Sequence, residues 1–393
     1  MTDRTTTAPA LDVDGLLRDP GVRIVVCCGS GGVGKTTTAA ALALRAAEQG
    51  RRTVVLTIDP ARRLAQSMGL TELDNTPRAV PADDLAPGAA LDAMMLDMKR
   101  TFDEVVAAHA TPDKAEQILA NPFYQALSTS FSGTQEYMAM EKLGQLRAQD
   151  VWDLIVVDTP PSRSALDFLD APARLGSFLD GRLIRVLTAP ARAGGRAGFR
   201  VLTTGFGIFT AALTRVLGGD LLRDVQTFVG ALDSMFGGFR ERADRTYALL
   251  QAEETAFLVV AAPEPDALRE ASYFVERLTS DAMPIRGLVL NRVHRTELPA
   301  LHQERSLAAA EQLEAAGEHP LTSAALRLHA ERMSVIHRER RLAARFTTAH
   351  PGVPVAEVPA FPVDVHDLDG LRAVGTAIAD GRSPDPPPAH RSA

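Results

Sequence analysis

The sequence predicts an α/β protein built on a mostly parallel, doubly wound sheet with an inserted helical subdomain. Three observations predict this class. Short apolar, β-branched runs recur along the chain, as strands buried on both faces require. Helical lengths of chain separate them, so each run can rejoin the sheet by a crossover. The first run, over 22–28, leads at once into a Gly-rich turn and then an Ala- and Leu-rich helix over 37–49.

Taken in order, residues 1–20 read as an N-terminal tail and 21–380 as the main domain. After the strand at Val22–Cys28, a second apolar run covers Thr53–Ile58 and ends at Asp59-Pro60-Ala61. A third covers Asp153–Val157 and ends at Asp158-Thr159-Pro160-Pro161. Thr255–Ala261, Ile285–Leu290 (followed by Asn291) and Val353–Val358 complete the set. Functional residues of such sheets gather at strand C-terminal ends, where Asp59, Asp158 and Asn291 all stand. Two segments break the alternation. Residues 91–147 and 165–251 are helical in pattern, the latter interrupted by a Gly/Ala/Arg-rich loop over 188–198, and together they form the helical subdomain. Residues 381–393 are Pro-rich and read as a disordered tail.

Composition narrows the function classes. The 393 residues are 46% hydrophobic and 23% charged, ample for a large core. The net charge of -7 argues against a general nucleic-acid binder. The only cysteines, Cys27 and Cys28, are adjacent on the first strand and therefore point to opposite faces, poorly placed to share a metal. The absence of a disulfide framework suits a cytoplasmic protein. The polar Met1–Leu11 stretch lacks an apolar signal core, and no segment reaches the roughly 20 apolar residues of a membrane span.

The chemistry concentrates in Gly29-Ser30-Gly31-Gly32-Val33-Gly34-Lys35-Thr36, followed by Thr37. This matches G-x-x-x-x-G-K-[ST], the phosphate-binding loop. Glycines let backbone N–H groups turn inward around phosphates, and the helix N-terminus adds partial positive charge. Lys35 would reach the β- and γ-phosphates of ATP, and the Thr36 hydroxyl would bind Mg²⁺. Asp158, after Leu154-Ile155-Val156-Val157, fits a Mg²⁺-holding carboxylate acting directly or through water. Asp59 suits two roles equally: orienting a water for in-line attack, or capping a helix before Pro60. Asn291 can donate to and accept from an adenine edge, and serves equally as an ordinary turn residue.

These residues carry a resemblance. Gly31–Thr37, Thr57-Ile-Asp-Pro-Ala61, Asp158-Thr-Pro-Pro161 with Leu166–Leu169, and Leu290-Asn-Arg292 occur in the order found in the arsenical-pump ATPase (ArsA) family, which includes the ATPase that targets tail-anchored membrane proteins. Pro359-Ala-Phe361 resembles that family's C-terminal adenine-contacting loop. The resemblance implies a dimeric, Mg²⁺-dependent ATPase whose nucleotide state moves a helical subdomain. It implies that Asp59 positions the attacking water, and that Asn291, Pro359 and Phe361 contact adenine.

The departures are as informative. Ser30 stands where the family's deviant loop carries a second lysine that crosses the dimer interface. Without that charge the chain either hydrolyses ATP slowly or works as a heterodimer with a lysine-bearing paralogue. The zinc-binding C-x-x-C of the membrane-targeting members is absent, so no zinc is expected. Arg163 and Ser164 alter the usual sequence after Asp158. A single loop and no cysteine triad argue against arsenite activation.

A hydrophobic client is conceivable from Val201–Leu213 and the apolar periodicity over 221–239, although a packed helical interior explains the same pattern. The basic run Arg338, Arg340, Arg341, Arg345 reads as a solvated helix face, with a peripheral membrane or partner contact as the alternative. The expected function is an ATP-hydrolysing dimeric switch coupled to a protein or membrane client. The alternative is a weakly catalytic, nucleotide-binding half of a heterodimer. A partitioning ATPase with the same loop would be shorter, and an iron–sulfur reductase would need cluster-ligating cysteines.

Overall fold

A computed structural model describes residues 8–59, 63–83, 85–122, 124–125, 128, 134–160 and 241–380. They fall into two compact units, one from residues 8–95, 150–160 and 250–380, the other from 96–149 and 241–249.

The first unit is an eight-stranded sheet. Its strands are β1 (Ile24–Cys28), β2 (Arg52–Thr57), β3 (Arg78–Ala79), β4 (Ala90–Met95), β5 (Leu154–Asp158), β6 (Thr255–Ala261), β7 (Ile285–Val293) and β8 (Val355–Pro359). Their order is β3-β4-β2-β5-β1-β6-β7-β8, with every pairing parallel except β3 with β4. The α/β doubly wound class is therefore observed. The central strands β1, β5 and β6 are buried at every position, which explains their unbroken apolar sequences.

The order of the strands reverses at β1. β5 pairs on one side of it and β6 on the other. β1 connects onward to β2 on one side of the sheet and its neighbour β6 connects onward to β7 on the other, so a crevice opens at their C-terminal ends. Register aligns Cys27 with Asp158 and Thr57 with Asp158, so β1, β2 and β5 end level with one another.

Helix α2 (Lys35–Glu48) follows β1 and buries its run Thr38–Leu44 against one face of the sheet. Its small alanines let it lie close, and the last helix of the unit (Leu368–Ala379) packs beside it, with Gly375 facing the Ala41 carbonyl. Cys27 belongs to this core layer and Cys28 does not, in keeping with the alternation of strand side chains. Burial raises both thiols, Cys28 to about 12, which leaves them unreactive.

Two expectations are corrected here. The tail reading fails from Ala8 onward. Val13–Arg18 is a short helix, α1, with Val13 and Leu17 fully buried, and Ala10 bridges Val355 at the sheet edge. Arg51 anchors this segment by donating to the carbonyls of Leu17, Asp19, Val22 and Asp153. The helical reading of 91–147 also fails at its start, because Ala90–Met95 forms β4 and pairs in register with β2.

The second unit contains helices Met98–His109, Pro112–Ala120 and Thr134–Gln149, together with the helical residues 241–249. A part-buried ion pair, Arg242 with Glu141 at 3.0 Å, lies within it beside Tyr137. The expectations for Pro161–Ser164, Leu166–Leu169, the loop over 188–198, the apolar stretches over 201–239 and the tail over 381–393 lie outside the described residues.

In the first unit, β7 is followed by a hairpin of helices Gln303–Ala316 and Pro320–Ala349. Arg338, Arg341 and Arg345 are exposed on the longer helix, while Glu339 is buried and grips the end of β7.

Candidate functional site

The Gly-rich turn leaves β1 at Cys28 and enters α2 at Lys35. Gly34 is the N-cap of α2 with φ +95°, and a Cβ there would stand 2.2 Å from Asn291 Nδ2. Only glycine combines that backbone with that close approach. Gly29 is constrained in the same way, since a Cβ would meet the Val260 carbonyl oxygen at 2.1 Å.

Lys35 is buried, and its Nζ donates to the Ser30 carbonyl at 2.8 Å, curling across the loop. Burial pushes its pKa down, and the nearby carboxylates of Asp158 and Asp59 push it back up. Thr36 Oγ1 donates to Asp158 Oδ2 at 2.7 Å, and Thr57 Oγ1 donates to the same oxygen at 2.9 Å. Asp158 Oδ1 is buried and has no hydrogen-bond partner. Burial raises the Asp158 pKa to about 6, against the lowering effect of the two hydroxyls and Lys35.

A carboxylate oxygen buried without a partner is costly unless a ligand completes it. The donor set fits Mg²⁺: a hard carboxylate oxygen hydrogen-bonded to a hydroxyl, with the other carboxylate oxygen unpartnered. Thr36 and Asp158 are the residues that can hold it. Bound Mg²⁺ would neutralise phosphate charge as a bond to the γ-phosphorus breaks.

Asp59 lies just past the end of β2, half-buried, and its N–H faces Thr57 Oγ1 at 3.3 Å. It lines the same cleft as Lys35 and Thr36. Its capping role involves residues 60–62, outside the described residues. Thr159 closes the floor, with its hydroxyl donating to the Cys27 carbonyl at 2.9 Å.

The cleft has a volume of about 1030 Å³, enough for a nucleoside triphosphate. Gly32, Gly34, Lys35, Thr36 and Thr37 line it from the loop, and Asn291, Pro359 and Phe361 from the ends of β7 and β8. The structure thus brings these residues, with Asp59, to one cavity. Asn291 has a further engagement, donating from Nδ2 to the Val33 carbonyl at 2.8 Å and so bracing the loop itself. Sequence reasoning gave no site role to Thr57, Arg292 or His294, although Thr57 and Arg292 lie within the blocks that carry the resemblance. Thr57 was accessible in principle, because it is the last residue of β2, at a strand C-terminal end where functional residues gather. His294 was not, because the Glu339 carboxylate that holds its ring at 2.7 Å is 45 residues away.

A loop of this form between the central strand and its helix, beside a buried carboxylate at the end of the adjacent strand β5, defines a P-loop nucleoside triphosphatase. Comparison with known proteins narrows the class. Residues 22–194 match the family model described as anion-transporting ATPase, ArsA_ATPase. ATPase get3 of Schizosaccharomyces pombe is 26% identical over 285 residues, covering 72% of this chain and 76% of that protein. ATPase GET3B of Arabidopsis thaliana is 25% identical, covering 67% of this chain and 62% of that protein. A putative arsenical pump-driving ATPase of Prosthecochloris vibrioformis is 28% identical, covering 39% of this chain and 36% of that protein. Over residues 22–194 the chain thus matches the ArsA family of P-loop ATPases.

Proposed function

We propose that the chain is a Mg²⁺-dependent, ATP-hydrolysing dimeric switch that couples its nucleotide state to a protein or membrane client. The observation that carries this reading is the Asp158 carboxylate. One oxygen is held by Thr36 and Thr57, and the other is buried without a partner at the mouth of the phosphate loop. In this reading Lys35 and the loop N–H groups hold the β- and γ-phosphates, and Thr36 and Asp158 hold Mg²⁺. Asp59 orients the attacking water, which displaces ADP in line from the γ-phosphorus. Asn291, Pro359 and Phe361 border the base.

A second reading is favoured by Ser30. The loop has a single lysine, so a homodimer brings no second lysine to its partner's phosphates. A weakly catalytic chain completed by a lysine-bearing paralogue follows from that residue. Steady-state phosphate release from Mg·ATP, measured for wild type beside Ser30→Lys, separates the two. A lysine at this place accelerates turnover by about tenfold or more if the interface charge is what the chain lacks. Equal rates would remove the case for a lysine-bearing partner.

A further inference from the structure

Arg292 stands immediately after Asn291 at the end of β7, and no role has been given to it above. Its backbone has φ +63°, a left-handed conformation that a long side chain adopts at a cost. Two bonds hold it there. Its own N–H donates to Asn291 Oδ1 at 3.0 Å, and its guanidinium donates from one terminal nitrogen to the Gly32 carbonyl at 3.1 Å. The turn therefore points an arginine at the outside of the phosphate loop, next to the Val33 carbonyl that Asn291 occupies.

The charge balance of the cleft makes this arginine distinctive. Lys35 faces two carboxylates, Asp158 and Asp59, which offset its charge. No carboxylate among the described residues pairs with Arg292. Its side chain is exposed and lines the same cleft as Lys35, Thr36 and Thr37. The Gly32 bond uses one of five N–H donors, so the rest of the planar fork is available to phosphate oxygens.

We propose that Arg292 is a second cation of the nucleotide site: it braces the phosphate loop through Gly32 and pairs with the polyphosphate. It thereby supplies from the same chain part of the positive charge that Ser30 leaves out. The inference rests on the ATP-binding reading of the cleft. The neighbouring Asn291 and Phe361 allow a rival role, in which the guanidinium lies on the purine. The two differ in their dependence on phosphate number. A cation on the polyphosphate loses most with ATP, less with ADP and least with AMP, whereas a contact to the base loses equally with all three.

The test is calorimetric titration of wild type, Arg292→Gly and Arg292→Lys with ATP, ADP and AMP in the presence of Mg²⁺. Glycine suits the positive φ, so Arg292→Gly removes the guanidinium without adding strain. The expected result is ATP affinity lowered about tenfold in Arg292→Gly, a smaller loss for ADP, and recovery of most of the ATP affinity in Arg292→Lys. Equal losses for all three nucleotides, or unchanged ATP affinity, would overturn the proposal while leaving the ATPase reading in place. Wild-type protein that bound no ATP would overturn both.

Discussion

At the scale of residues, the proposed chemistry turns on Asp158. A free aspartate ionises near pH 4, but burial holds this one to about 6. The sign follows from linkage. Between about pH 4 and 6 the folded protein binds a proton that the unfolded chain has released, so this group makes stability fall as pH rises through that window. Above pH 6 the buried carboxylate is charged and carries a constant penalty until a cation relieves it. Mg²⁺ must displace the proton when pH is below 6. The Mg²⁺ dependence of nucleotide affinity should therefore weaken about fourfold between pH 7.5 and 5.5, as expected for a group half-ionised at pH 6. Titrating Mg²⁺ at fixed ATP at the two pH values measures this, and an unchanged Mg²⁺ midpoint would mean that Asp158 does not hold the metal. The loop motif and the carboxylate after four apolar residues were both legible in the sequence, because each depends on neighbours along the chain. Arg292 and Thr57 were not singled out, since their importance lies in Gly32 and Asp158, which are far away in sequence.

At the scale of elements, most strands declared themselves. Thr255–Ala261 is read identically in sequence and structure, because burial on both faces demands an unbroken apolar run. β4 was hidden for the opposite reason. Its Ala-Leu-Asp-Ala-Met-Met composition favours a helix and runs directly into one, so only pairing with β2 makes it a strand. Helix α1 was hidden by its polar surroundings and its six-residue length. It is held by distant partners: Asp14 accepts from Arg45 and Gln49, and Arg51 gathers four carbonyls from α1 and its surroundings. Losing an arginine that satisfies so many buried carbonyls leaves them unpaired. Arg51→Met should lower stability by about 3 kcal/mol. Deleting residues 1–19, which uncovers the sites of Leu11, Val13 and Leu17, should cost about 5 kcal/mol. Urea unfolding followed by circular dichroism measures both, and a truncated chain as stable as the full one would show that α1 is dispensable to the core.

At the scale of the whole molecule, the chain comprises a sheet unit and a helical unit. Among the described residues no helix is long and apolar enough to cross a membrane. The helical unit was legible as a composition of helices. Its use was not, because an amphipathic helix looks the same whether it covers a core or a client. Everything proposed for the molecule depends on turnover at the loop. The most direct measurement is phosphate release from Mg·ATP by the full chain and by Asp59→Asn, each with its ATP affinity determined in parallel. The account predicts turnover in wild type, and in Asp59→Asn a rate reduced about a hundredfold or more at nearly unchanged affinity. Full turnover by Asp59→Asn would contradict it.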